Sequence, residues 1–180
     1  MSQKIFISYS HQDSICAQGI ARFLLRQNYD VWIDVDRIVS GQNWAENINE
    51  ALKMANTVIA IISKNSVRRP EVLRETSEAL SRSEKEKDFR VIYVVIGNVH
   101  PSWFVSNDKA VVDKLIDYLK KVQYVQLDAR GTINIACMQN ILRAFHLSSL
   151  YVHPFYYISR SVFPVQKDMS LTQLFLSVHN

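Results

Sequence analysis

The stretch TVIAIISKNSVRRPEVLRE, residues 57–75, changes character at its midpoint. Its first six residues are almost wholly apolar and β-branched, the signature of a short strand covered on both faces. A polar loop follows, then Pro70, a residue favoured in the first helical turn because its missing N–H costs nothing there. The helix it opens carries Glu71, Glu75 and Glu78 at helical spacing on nearly one face. A strand leading through a polar loop into a helix is half of a βα unit, and the rest of the chain repeats that unit.

Towards the N-terminus, KIFISY (4–9) is a β-branched and aromatic run that stops at the polar loop SHQD. Cys16, Ile20, Phe23 and Leu24 recur at helical spacing and predict a helix from about Asp13 to Gln27. YDVWID (29–34) is a second strand, and residues 35–43 form a loop containing Ser40-Gly41. Trp44, Ile48, Ala51, Leu52 and Ala55 mark a second helix. Towards the C-terminus, RVIYVVI (90–96) is a fourth strand, followed by the irregular segment GNVHPSWF. Val112, Leu115, Ile116 and Leu119 give a fourth helix, 124–127 a short fifth strand, and Ile135, Met138, Leu142 and Phe145 a fifth helix ending near His146.

Five β–α pairs with buried middle strands predict an α/β fold: a flavodoxin-like, open, parallel five-stranded sheet with helices on both faces. Residues 1–147 form that domain. Residues 148–180 are a C-terminal extension rich in aromatics (Tyr151, Phe155, Tyr156, Tyr157, Phe163), read as a packed strap, an oligomer contact, or a linker to a further region. In such sheets ligands bind beyond the carboxyl ends of the strands. The loops to inspect are therefore SHQD, VDRIVSGQN and SKNSVRRP.

Composition narrows the function classes. The 180 residues are 48% hydrophobic and 21% charged, with a net charge of +4 whose Lys and Arg are scattered, so no nucleic-acid stripe is expected. No apolar run approaches the ~20 residues that span a bilayer, and the N-terminus turns polar too early for a signal peptide. Cys16 and Cys137 sit inside helical patterns and read as buried small hydrophobes in a reducing, cytoplasmic setting. The five histidines form no metal spacing with them. No G-x-G-x-x-G, P-loop or G-x-S-x-G motif occurs. A phosphoacceptor receiver wants clustered acids after the first strand, where only Asp13 stands.

Three boxes carry a resemblance. KIFISYSHQD, YDVWIDVDRIVSGQNW followed by INEAL, and TVIAIISKNSVRRPEVLRE resemble, in order and spacing, the Toll/interleukin-1 receptor (TIR) domain family over residues 3–146. Animal receptor and adaptor members of that family mainly assemble signalling complexes. Many bacterial and plant members, and one animal axonal member, break the nicotinamide–ribose bond of NAD+. The resemblance implies an NAD+ glycohydrolase or cyclase of bacterial type, giving nicotinamide and ADP-ribose or a cyclic isomer, in defence or signalling and activated by self-assembly. NAD+ would then be the substrate, and no separate cofactor is expected. Partners implied are a second TIR domain, met through loop 35–43, and a fused or partner domain. The alternative is a non-enzymatic TIR module acting through TIR–TIR contacts.

Aligned to the family pattern, the functional acid is Glu75. Glu71 stands where many bacterial members carry a tryptophan, so W-x-x-x-E reads E-x-x-x-E here. The chemistry suits a carboxylate: the bond breaks through an oxocarbenium-like ribosyl cation, and nicotinamide leaves as a neutral pyridine that needs no acid. The bland reading of the three glutamates is a surface face paired with Arg74 or Arg82. Tyr9, Ser10 and His11 end the first strand and are candidates for the nucleotide's polar groups, or for a loop whose Asp13 caps the first helix. Asp36, Arg37, Arg68 and Arg69 lie on the same rim, the arginines facing the pyrophosphate or simply solvent. Trp32 reads as core, Trp44 as a packing residue or a stacking platform. Ser63 and Ser66 either cap their own loop or bond the ribose.

Overall fold

The computed structural model describes residues 3–33, 44–105, 108–122 and 124–146. The 148–180 extension and the loop candidates Asp36 and Arg37 lie outside the described residues, as does the side chain of Trp44. Five strands, β1 (Lys4–Ser8), β2 (Asp30–Trp32), β3 (Thr57–Ile62), β4 (Arg90–Ile96) and β5 (Val125–Leu127), alternate with five helices. The helices are α1 (Ser14–Arg26), α2 (Trp44–Met54), α3 (Pro70–Ser83), α4 (Lys109–Leu119) and α5 (Ile135–His146). All strand pairs are parallel, in the order β2-β1-β3-β4-β5. This is the flavodoxin-like arrangement expected from the alternation.

Side chains alternate across the sheet with period two. In β1, Ile5 and Ile7 pack against α1 and α5, among Ile20, Leu24, Ile141 and Phe145. Phe6 faces the other way, against Ile48 and Leu52 of α2 and Ala79 of α3. β3 is buried at every position, as its unbroken apolar run requires. Its Ala60 and Ile62 join Leu73 of α3, Tyr93 of β4 and Leu115 of α4. Thus α1 and α5 cover one face, and α2, α3 and α4 cover the other. The connection from β1 runs to β2 on one side and the later strands add on the other, so the β1–β3 seam is the topological switch point of the sheet.

The edge strand β2 is shorter than its apolar run, with ladder pairing confined to Lys4↔Asp30, Ile5↔Val31 and Phe6↔Trp32. β5 likewise begins at Val125, one residue later than expected. α1 ends in a Schellman motif: Asn28 takes φ +63°, its N–H donates to Leu25 O, and the Tyr29 N–H donates to Leu24 O. Cys16 and Cys137 are both buried between α1 and α5. Burial, with Cys137 and Asp13 adding to it, pushes the Cys16 thiol up to about 12. The pair fits the reading as small hydrophobes. Among the described residues no helix is long and apolar enough to cross a membrane.

Candidate functional site

A cleft of about 230 Å³ opens at the carboxyl ends of β1 and β2. One wall is aromatic: Phe6 and Trp32, direct register partners, stack with centroids 4.9 Å apart and planes 9° from parallel. Ile48 of α2 extends that wall, and Tyr9, Ser10 and His11, which follow the end of β1, line the cleft too. The opposite wall is the start of α3, contributing Arg69, Glu71, Val72 and Glu75.

Glu75 is only 6% exposed. A carboxylate so far from water needs a partner, and it has one: the Ser8 hydroxyl donates to Glu75 Oε2 at 2.8 Å. Ser10, two residues on, is 1% exposed, and its hydroxyl finds no hydrogen-bond partner among the described residues. The cleft therefore pairs a buried acid with a hydroxyl that is unpartnered among the described residues. His11 and Arg69 are exposed at its mouth, and Tyr9 is half-buried.

The other predicted residues separate. Ser63 and Ser66 cap their own loop. The Ser63 hydroxyl donates to Asp13 Oδ2 at 2.5 Å and accepts from the backbone N–H groups of Asn65 and Ser66, both at 3.0 Å. Ser66 Oγ accepts from the Ser63 N–H at 2.7 Å. Neither lines the cleft. Arg68 is exposed and does not line the cleft, where Arg69 stands instead. Asp13 was expected to cap α1, but its side chain makes no cap hydrogen bond. Its carboxylate instead accepts from Ser63 and, at 2.9 Å, from Asn65 Nδ2. Two inward donors outcompete the helix N-terminus for it.

Of the three glutamates, Glu71 and Glu78 follow the surface reading, Glu78 lying 4.0 Å from Arg74 at i,i+4. Glu71 is exposed yet shares the cleft with Glu75, a placement that its sequence position one turn earlier is consistent with but does not single out. Arg82 serves packing: it donates to Leu52 O and Ala55 O and so ties α3 to the end of α2. Ser8 went unnoticed in the sequence, because a serine closing an apolar run reads as the end of a strand. Among the described residues no cluster of His, Cys, Asp and Glu could hold a metal ion.

No curated protein matches the chain in sequence. Solved structures match it in fold. The TIR domains in the structure of the activated Roq1 resistosome, directly recognizing the pathogen effector XopQ, superpose with a TM-score of 0.61 at 17% identity. That match covers 79% of this chain and 98% of theirs. The TIR domain of the Toll-related receptor TRR-2 from Hydra magnipapillata gives 0.56 at 16% identity, covering 79% and 97%. The sequence profile of the TIR domain matches residues 5–142, from the first strand into the fifth helix, and the chain belongs to that family.

Proposed function

We propose that the protein cleaves the nicotinamide–ribose bond of NAD+, with Glu75 as the catalytic carboxylate. The observation that carries this reading is the burial of Glu75 in a cleft at the carboxyl ends of the strands, in which the Ser10 hydroxyl is unpartnered among the described residues. As the C1′–N bond lengthens, its electron pair goes to the pyridine nitrogen, and positive charge spreads over C1′ and the ring oxygen. A fixed carboxylate facing that charge lowers the barrier without moving a proton. In this reading Ser10 bonds a ribose hydroxyl, the Phe6–Trp32 wall bounds the flat nicotinamide, and Arg69, which lines the cleft where Arg68 does not, meets the pyrophosphate. Water capturing the ribosyl cation gives ADP-ribose and a proton; capture by the adenine of the same molecule gives a cyclic isomer.

The cleft volume supports a second element of the proposal. About 230 Å³ falls below the ~300–1,000 Å³ of pockets that enclose a drug-sized ligand, and a dinucleotide is larger still. In this reading the described residues take only the nicotinamide riboside end. The remainder of the substrate then rests on loop 35–43 or on a second TIR domain docked through that loop.

The test is NAD+ loss with chromatographic separation of products, for wild type and Glu75→Ala at high protein concentration. Wild-type turnover is expected, falling roughly 10²–10³-fold in the variant, the scale for removing one fixed electrostatic group. Equal rates would move the chemistry off Glu75. Turnover in neither would leave a non-enzymatic TIR module acting through TIR–TIR contacts.

A further inference from the structure

Parallel strands buried on both faces carry hydrocarbon at nearly every position. β1 obeys this at Ile5, Phe6 and Ile7 and departs from it at Ser8, which is 1% exposed. Ser8 pairs in register with Ala60 of β3, a position filled by a methyl group, so the sheet itself asks for nothing polar there. Strand alternation puts Ser8 on the same face as Phe6, the face that α3 covers. Across from it stands Glu75, 67 residues later, and the 2.8 Å hydrogen bond joins the two.

We propose that Ser8 is the positioning residue of the Glu75 carboxylate, and this rests on Glu75 being the catalytic group argued above. Glutamate has three side-chain torsions, and its terminal one is broad, so a hydrogen bond from outside the helix narrows the orientations open to its carboxylate. A donor at the carboxyl end of β1, an interior strand, holds one oxygen and so restricts the plane of the carboxylate and the direction of the other oxygen. Preorganised charge requires this, because a group that must reorient in the transition state loses its advantage. The anchor comes from an element other than α3, so helix and sheet together set the geometry.

The test compares Ser8→Thr with Ser8→Val. These side chains have nearly the same shape, suit a strand equally, and differ by a hydroxyl against a methyl. Both are assayed for NAD+ cleavage well below their melting temperatures. The expected result is a kcat roughly tenfold or more lower for Ser8→Val than for Ser8→Thr, at unchanged KM, the scale of a slightly misplaced catalytic group. Repeated in a Glu75→Gln background, the Thr–Val difference should vanish, as it must if Ser8 acts through Glu75. A hydroxyl needed only for folding would change the melting temperature and leave the kcat values equal, which would overturn the proposal. So would a difference that persists in the Glu75→Gln background. A readout without turnover is carbon-13 NMR of labelled glutamate carboxyls, the Glu75 signal being assigned by its loss in Glu75→Gln. That signal should differ between the Thr and Val variants. Coincident signals with an active wild type overturn the role of Ser8 alone; differing signals with no wild-type turnover overturn the enzyme reading and leave the anchor a structural contact only.

Discussion

Tyr93 sits in the middle of β4 at 2% exposure, its ring 5.8 Å from that of Tyr118 and its hydroxyl without a partner among the described residues. Burial, with Tyr118 and Glu84 adding to it, pushes its ionisation well above the usual phenol range. An unsatisfied buried hydroxyl costs about 1–3 kcal/mol, whereas a phenyl ring of the same shape costs nothing of the kind. Tyr93→Phe is therefore expected to stabilise the fold by up to ~1 kcal/mol, read as a melting temperature raised by about 2–4 °C. A lower melting temperature would mean that the hydroxyl has a partner. Residue by residue, helical spacing alone sets Glu71, Glu75 and Glu78 on one face and favours none of them. The family pattern singles out Glu75, and the structure adds that it is the buried one of the three. Arg68 and Arg69 are neighbours with the same chemistry, and the 3-10 turn at Ser66–Arg68 decides which one meets the cleft. Ser8 and Glu75 lie 67 residues apart, and nothing local to either announces the other.

Between single side chains and the whole fold, the β3–α3 loop is the element that sets the site. Asp13 holds it by receiving both Ser63 and Asn65, while Ser63 and Ser66 close its turn. Arg69 and Pro70 follow directly, so the place where α3 begins, and hence where Glu75 points, depends on this network. Asp13→Ala would leave the buried Ser63 hydroxyl without its acceptor, at a cost of about 1–3 kcal/mol. Expected alongside is faster amide hydrogen exchange across residues 63–69, with the α1 amides unchanged because Asp13 makes no cap bond to them. Faster exchange confined to the start of α1 would restore the capping role instead. Helices and central strands were legible in the sequence because burial enforces their periods. The ends of β2 and β5 were not, since an edge strand's pairing stops where its neighbour stops and not where its own apolar run does. Polar loop networks are equally hidden, because Ser, Asn and Asp satisfy caps and long-range partners alike.

At the scale of the molecule, the open question for the proposed reaction is how a cleft of about 230 Å³ handles a dinucleotide. The sheet order places the cleft beside β2, next to the chain position where loop 35–43 departs. A substrate half held by one chain gains little unless something covers the other half and removes water from around Glu75, since exclusion of water strengthens every electrostatic term. If a second chain supplies that cover, the active species is an assembly, and its population rises faster than protein concentration. NAD+ cleavage per mole of chain should then climb with concentration and level off once assembly is complete. The measurement is initial rate across a concentration series, with light scattering on the same samples to report association. A rate per mole that rises in step with scattering mass ties completion of the site to contact between copies. A rate per mole constant throughout, while the scattering mass stays that of one chain, means the single chain completes its site unaided.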